Sequence, residues 1–220
     1  MQLSNDIINK FIFVGIGFEV LTALLGLYFL TKRRKDKILK YFVFFICYVA
    51  INELVGLYIK LNEGINAIIH NIYSLINFSF FFIIYMISLS NRFFRKLIIS
   101  FFIFYIIIFI INGFFENYLN EYQRLPYIIG ALFLIVTIFL YYIELLNSEK
   151  VLNAKKDLLF WISVGLLIYY VGNLPFRIMR NYYSELTDAT ILFLVSFSLT
   201  LIMNSCFIIG FIWSDKKQPY

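Results

Sequence analysis

Seven apolar runs, each long enough to cross a lipid bilayer, decide what this chain can fold into. They cover roughly 9–31, 38–60, 66–89, 93–112, 125–146, 157–180 and 187–213, with short polar breaks between them. A span needs about 20 mostly apolar residues. The runs are continuous, not alternating segments of about 10 residues, so they predict helices and not a β-barrel. Composition points the same way. The chain is 62% hydrophobic and 15% charged, against roughly 45–50% apolar and 25% charged in an ordinary soluble domain. A soluble core of this size cannot hide so much apolar surface, so lipid is the expected solvent. The 220 residues are expected to form one all-α, seven-helix transmembrane domain over 1–220, with no added soluble domain. The first run is expected to stay as a span. Only Lys10 precedes its apolar stretch, which is too long for a signal-peptide core.

The formal charge of +6 is carried by short breaks between spans. No soluble basic patch remains, and nucleic-acid binding is not expected. Fourteen of the 19 Lys and Arg residues, within 32–40, 92–96, 150–156 and 216–217, fall on one side of the predicted bundle. Lys10, Lys60, Arg124, Arg177 and Arg180 fall on the other. The cation-rich side is expected to be cytoplasmic. That places the N-terminus outside and the C-terminus inside, in a bacterial inner membrane. Cys47 and Cys206 both lie within spans, where small apolar packing roles are expected and a disulfide or metal site is not.

Spans 5 and 6 carry Tyr142-Ile143-Glu144-Leu145-Leu146, Leu159-Phe160-Trp161-Ile162-Ser163-Val164-Gly165-Leu166-Leu167 and Tyr170-Val171-Gly172-Asn173-Leu174-Pro175. These segments, about a quarter of the chain, resemble an uncharacterised group of small bacterial seven-helix membrane proteins. The resemblance implies the span layout and transfers no activity, cofactor or site residue. A shift of 121 positions also aligns Tyr48 with Tyr169 and Asn52 with Asn173. Spans 1–3 and 5–7 could thus be parallel units joined by span 4.

Several membrane chemistries lack their residues. A retinal protein needs a Lys in the last span, and 187–213 has none. Seven-helix zinc hydrolases need three His, and His70 is the only one. His-Glu-x-x-His, Gly-x-Ser-x-Gly and phosphate-binding Gly-rich loops are missing. No enzyme activity and no cofactor are expected.

What remains is polar residues at membrane depth, where a carboxylate costs about 2.5–3.5 kcal/mol and must be sheltered, paired or protonated. Glu19 lies roughly 16 Å into span 1, on a face with Gly15, Thr22, Ala23 and Gly26. Such a small-residue stripe suits helix packing, so Glu19 is expected to face the bundle. Asn66, His70, Ser74 and Asn77 share one face of span 3. His70 is either a hydrogen-bonded structural residue or a pH-sensitive contact. Span 6 adds Asn173, Arg177 and Arg180, with Pro175 expected to kink its outer part. Arg177 is placed to turn toward Glu53 of span 2, beside Asn52, while Arg180 snorkels outward. Ser196, Thr200 and Asn204 of span 7 are expected to bond between helices. Glu144 is expected to reach the interface near loop Lys or Arg residues and has no site role. Span 4, polar only at Tyr105 over 101–111, is the expected lipid-facing helix.

Glu19, Asn52, Glu53, His70, Asn77, Asn173 and Arg177 are therefore the candidate ligand-binding residues of an outward-facing polar pocket. The expected function is a small-ligand sensor or receptor acting through a partner protein. The alternatives are a small-solute or proton-coupled transporter and a pore-forming or scaffold subunit.

Overall fold

The structure, a computed structural model, describes residues 5–33, 36–62, 64, 66–178 and 189–214. Among them are seven α-helices, one 3-10 segment and no strand. The helices are α1 (Asn5–Lys32), α2 (Lys37–Leu61), α3 (Ala67–Ser88), α4 (Arg92–Asn112), α5 (Arg124–Leu146), α6 (Leu158–Ile178) and α7 (Ala189–Trp213). The 3-10 segment Glu149–Lys156 precedes α6. Each α-helix contains a stretch long and apolar enough to cross a membrane. This is an all-helical, multi-pass membrane protein. The spans match the hydropathy runs within a few residues; the last, expected over 187–213, is Ala189–Trp213 among the described residues. The break at 181–188 and the expected outer position of Arg180 lie outside the described residues.

Helices form here because lipid offers no partner for a backbone N–H or C=O, and only i→i−4 bonding satisfies both within one segment. Polar caps set where they begin. Asp36 accepts the Leu39 N–H at 3.0 Å ahead of α2. Asn91 accepts the Phe93 and Phe94 N–H groups of α4. Asp157 accepts the Leu159 N–H at 2.9 Å to start α6. Each side-chain oxygen fills an orphan donor of the first turn. Pro175 sits inside α6, and the helix continues through it to Ile178.

The helices fall into two compact units. The first holds α1, α6, α7 and the α2 residues up to Ala50. Its register reads from named contacts. Asn173 meets Ser196, and Gly165 lies under Cys206 and Phe207, so α6 and α7 are antiparallel. Gly15 meets Phe197 and Gly26 meets Phe211, so α1 and α7 run parallel. Phe42 packs edge-on against Phe207 at 5.0 Å, bringing α2 against α7. The stripe predicted on α1 is a packing face: Thr22, Ala23 and Gly26 are buried, and Gly26 faces Val43 and Ile46 of α2.

The second unit holds the α2 residues from Ile51 together with α3, α4 and α5. Its buried centre is aromatic. Phe78 meets Tyr105 at 5.4 Å and Tyr127 at 5.5 Å, and Tyr85 meets Tyr141 at 5.7 Å. In α4 the buried residues are Ile98, Tyr105 and Asn112, one narrow stripe with a spacing of seven. Ile103, Phe104, Ile107, Ile110 and Ile111 are exposed, the outward face expected of a lipid-facing helix. Within this unit α4 packs against both α3 and α5.

Candidate functional site

The seven candidates divide between the units. Glu19, Asn173 and Arg177 belong to the first, and Asn52, Glu53, His70 and Asn77 to the second. Glu53 and Arg177, paired by the sequence reading, therefore belong to different units.

In the first unit Asn173 is the best-defined candidate. Its side chain is 3% exposed, and its Oδ1 accepts the Ser196 hydroxyl at 2.7 Å. Its amide nitrogen is buried and has no hydrogen-bond partner among the described residues. A buried donor left unfilled costs about 1–3 kcal/mol. Glu19 is half-buried, with its Oε2 shielded from solvent, so it faces the helices and not the lipid. The α1–α7 contacts at Gly15–Phe197 and Gly26–Phe211 set Glu19 level with 201–204, roughly one to two turns further along α7 than Ser196. The Tyr48 hydroxyl is buried and has no hydrogen-bond partner among the described residues. Facing Gly26 with Val43 and Ile46 sets Tyr48 about one turn beyond Glu19 in the same direction. Three polar groups thus follow one another along the first unit. Tyr48 was visible in the sequence only as half of a repeated Tyr-x-x-x-Asn pattern.

Expected interhelical bonding by α7 holds for Ser196 only. Thr200 Oγ1 donates to the Ser196 carbonyl at 3.0 Å, and Asn204 Nδ2 donates to the Thr200 carbonyl at 3.0 Å. Both turn back on their own helix, where the carbonyl four residues earlier is always within reach.

In the second unit the strongest polar cluster is one the spacing argument passed over. Asn71, 3% exposed, donates its amide to the Tyr118 and Glu121 carbonyls at 2.9 and 2.8 Å. Its Oδ1 accepts the Gln123 N–H at 3.0 Å. Gln123, also 3% exposed, accepts from Asn112 Nδ2 at 2.6 Å and donates to the Glu116 carbonyl at 3.2 Å. Tyr118 lays its ring over Gly113 and donates its hydroxyl to the Phe109 carbonyl at 2.7 Å. The α4–α5 connection is therefore a folded cap built on α3. Above it, His70 lies within an aromatic group of Tyr73, Tyr122 and Tyr127, with centroids 5.2–6.4 Å away. The Tyr122 hydroxyl donates to Asn66 Oδ1. Asn77 is buried, and Asn52 and Glu53 are half-buried.

Glu144 reaches the α3–α4 turn, directly before Arg92. Its carboxylate accepts the backbone N–H groups of Ser90 at 2.6 Å and Asn91 at 3.0 Å, closing that turn. Both of these hydrogen bonds are to peptide donors.

Cys47 and Cys206 are free thiols. Among the described residues no three His, Cys, Asp or Glu side chains gather as a metal ion requires. Compared with protein-family models, curated proteins and solved structures, the chain matches none.

Proposed function

We propose that this is a receptor-like protein of the bacterial inner membrane that binds a small polar ligand from the outer side and signals through a partner protein. The supporting observation is Asn173, whose buried amide nitrogen lacks a hydrogen-bond partner among the described residues while Ser196 holds its oxygen. Such a donor favours an acceptor atom brought by a ligand. Glu19 and Tyr48, following inward, offer that ligand a carboxylate and a hydroxyl. The N-terminus lies outside, because the cation-rich connections favour the cytoplasm.

Orientation is checked by labelling. In a background with Cys47 and Cys206 replaced by Ala, a cysteine introduced at Glu116 should react from outside with an impermeant thiol reagent. One introduced at Asn153 should not. The reverse pattern would overturn the topology.

Ligand binding is checked by screening small polar solutes for thermal stabilisation of the purified full chain. A solute at a hundred times its Kd adds about 2.7 kcal/mol. Asn173→Ala is expected to weaken binding about tenfold, the loss of one buried hydrogen bond worth about 1.4 kcal/mol. A stabilising solute that binds Asn173→Ala and Glu19→Gln as tightly as the parent would remove this site. Accumulation of the solute in proteoliposomes, lost in Glu19→Gln, would replace the receptor reading by transport.

A further inference from the structure

The first unit ends in a group of cations, Arg33, Lys37 and Lys40 among the described residues. The C-termini of α1 and α7 and the N-termini of α2 and α6 meet at this end, as their register requires. Arg33 follows α1. Its Nη1 donates to the hydroxyl of Ser214, just past α7, at 2.5 Å. Its guanidinium carbon lies 5.3 Å from the Phe29 ring centroid. Its Nε–H is buried and has no partner among the described residues. Ser214 is itself buried, and its hydroxyl proton is free to turn to a further acceptor.

Among the described residues two carboxylates stand at this end, and each caps a helix. Asp36 caps α2 and Asp157 caps α6. Lys37 and Lys40, on the opening turn of α2, are exposed, so among these described residues cations outnumber carboxylates. A guanidinium beside an aromatic ring, anchored at one nitrogen and with a second, buried N–H unfilled, has donors suited to a phosphate oxygen. We propose that Arg33 and Ser214 bind the phosphate of an anionic phospholipid headgroup.

The lipid source follows from the surroundings. Leu24, Leu27 and Tyr28, on the last turns of α1 before Arg33, are exposed large apolar side chains, a surface on which acyl chains lie. Trp213, exposed and 5.5 Å from Trp161 in an edge-to-face pair, marks headgroup depth. A free phosphate ion would use the guanidinium and leave the apolar face uncovered.

The test uses the full chain in phosphatidylcholine nanodiscs with and without phosphatidylglycerol. Phosphatidylglycerol should raise Tm and be retained on the protein, as counted by native mass spectrometry. Arg33→Gln should lower that retention about fivefold, and Arg33→Lys, which keeps charge but not the planar fork, should fall between. If Arg33→Gln fails to fold, Ser214→Ala carries the same measurement, with a smaller loss expected. Equal Tm in both lipids, or retention unchanged in all three variants, would overturn the site. A Tm rise given equally by inorganic phosphate in pure phosphatidylcholine would overturn the lipid assignment.

Discussion

Replacing Asn71 by leucine is expected to destabilise the protein by about 3 kcal/mol or more and to unfasten the α4–α5 cap. One side chain makes three of the hydrogen bonds that hold the connection to α3. Each is worth about 1 kcal/mol, and the groups left behind lose more because they stay buried. The Gln123 N–H loses its acceptor at a residue that also links Asn112 to the Glu116 carbonyl. The measurements are Tm in detergent and the rate of proteolytic cleavage within the cap, which requires the connection to open. A local loss of about 3 kcal/mol raises the open population roughly a hundredfold, and cleavage should accelerate accordingly. Asn66→Ala, which removes a single bond to Tyr122, should cost about 1 kcal/mol. Equal effects from the two variants would show that Asn71 does not hold the cap.

The second large effect is expected at the α6–α7 contact. At Gly165 an added Cβ would lie 3.0 Å from the Met203 carbonyl oxygen, 3.1 Å from Cys206 Cβ and 3.2 Å from the Phe207 ring. A backbone carbonyl cannot swing aside, so Gly165→Leu must part the two helices. Overpacking costs about 1–3 kcal/mol and occasionally more, and here about 3 kcal/mol is expected. The bond between Ser196 and Asn173, about two turns away along α6, should weaken with it. Gly165→Ala, needing a few tenths of an ångström, should cost about 1 kcal/mol. Gly17 and Gly56 provide the contrast: a Cβ there meets nothing within 4 Å. Gly17→Ala should be neutral or stabilising by up to about 1 kcal/mol, the helix-propensity difference. A Tm for Gly165→Leu matching that of Gly17→Leu would contradict the close contact.

These two sites differ in how far the sequence exposes them. Gly165 stands in the apolar run of α6, and nothing local names Met203 as its neighbour. Asn71 is harder still. The face of α3 chosen by angle was Asn66, His70, Ser74 and Asn77, and Asn71 lies about 100° from His70. Its three partners lie 47–52 residues along the chain, and no spacing rule within a helix reaches them.

The sequence alone determined the seven spans to within a few residues, the inward face of α1 and the outward face of α4. Those are local properties: the length of an apolar run and the angle between side chains on one helix. Tertiary structure decided which polar side chain meets which. It gave Asn173 to Ser196 while turning Thr200 and Asn204 back on α7, sent Glu144 to the peptide donors of the α3–α4 turn, and built the α4–α5 cap on Asn71. Inside an apolar bundle a polar group takes whichever donor or acceptor the neighbouring helix presents at its depth. That depth is fixed by the packing register of distant segments.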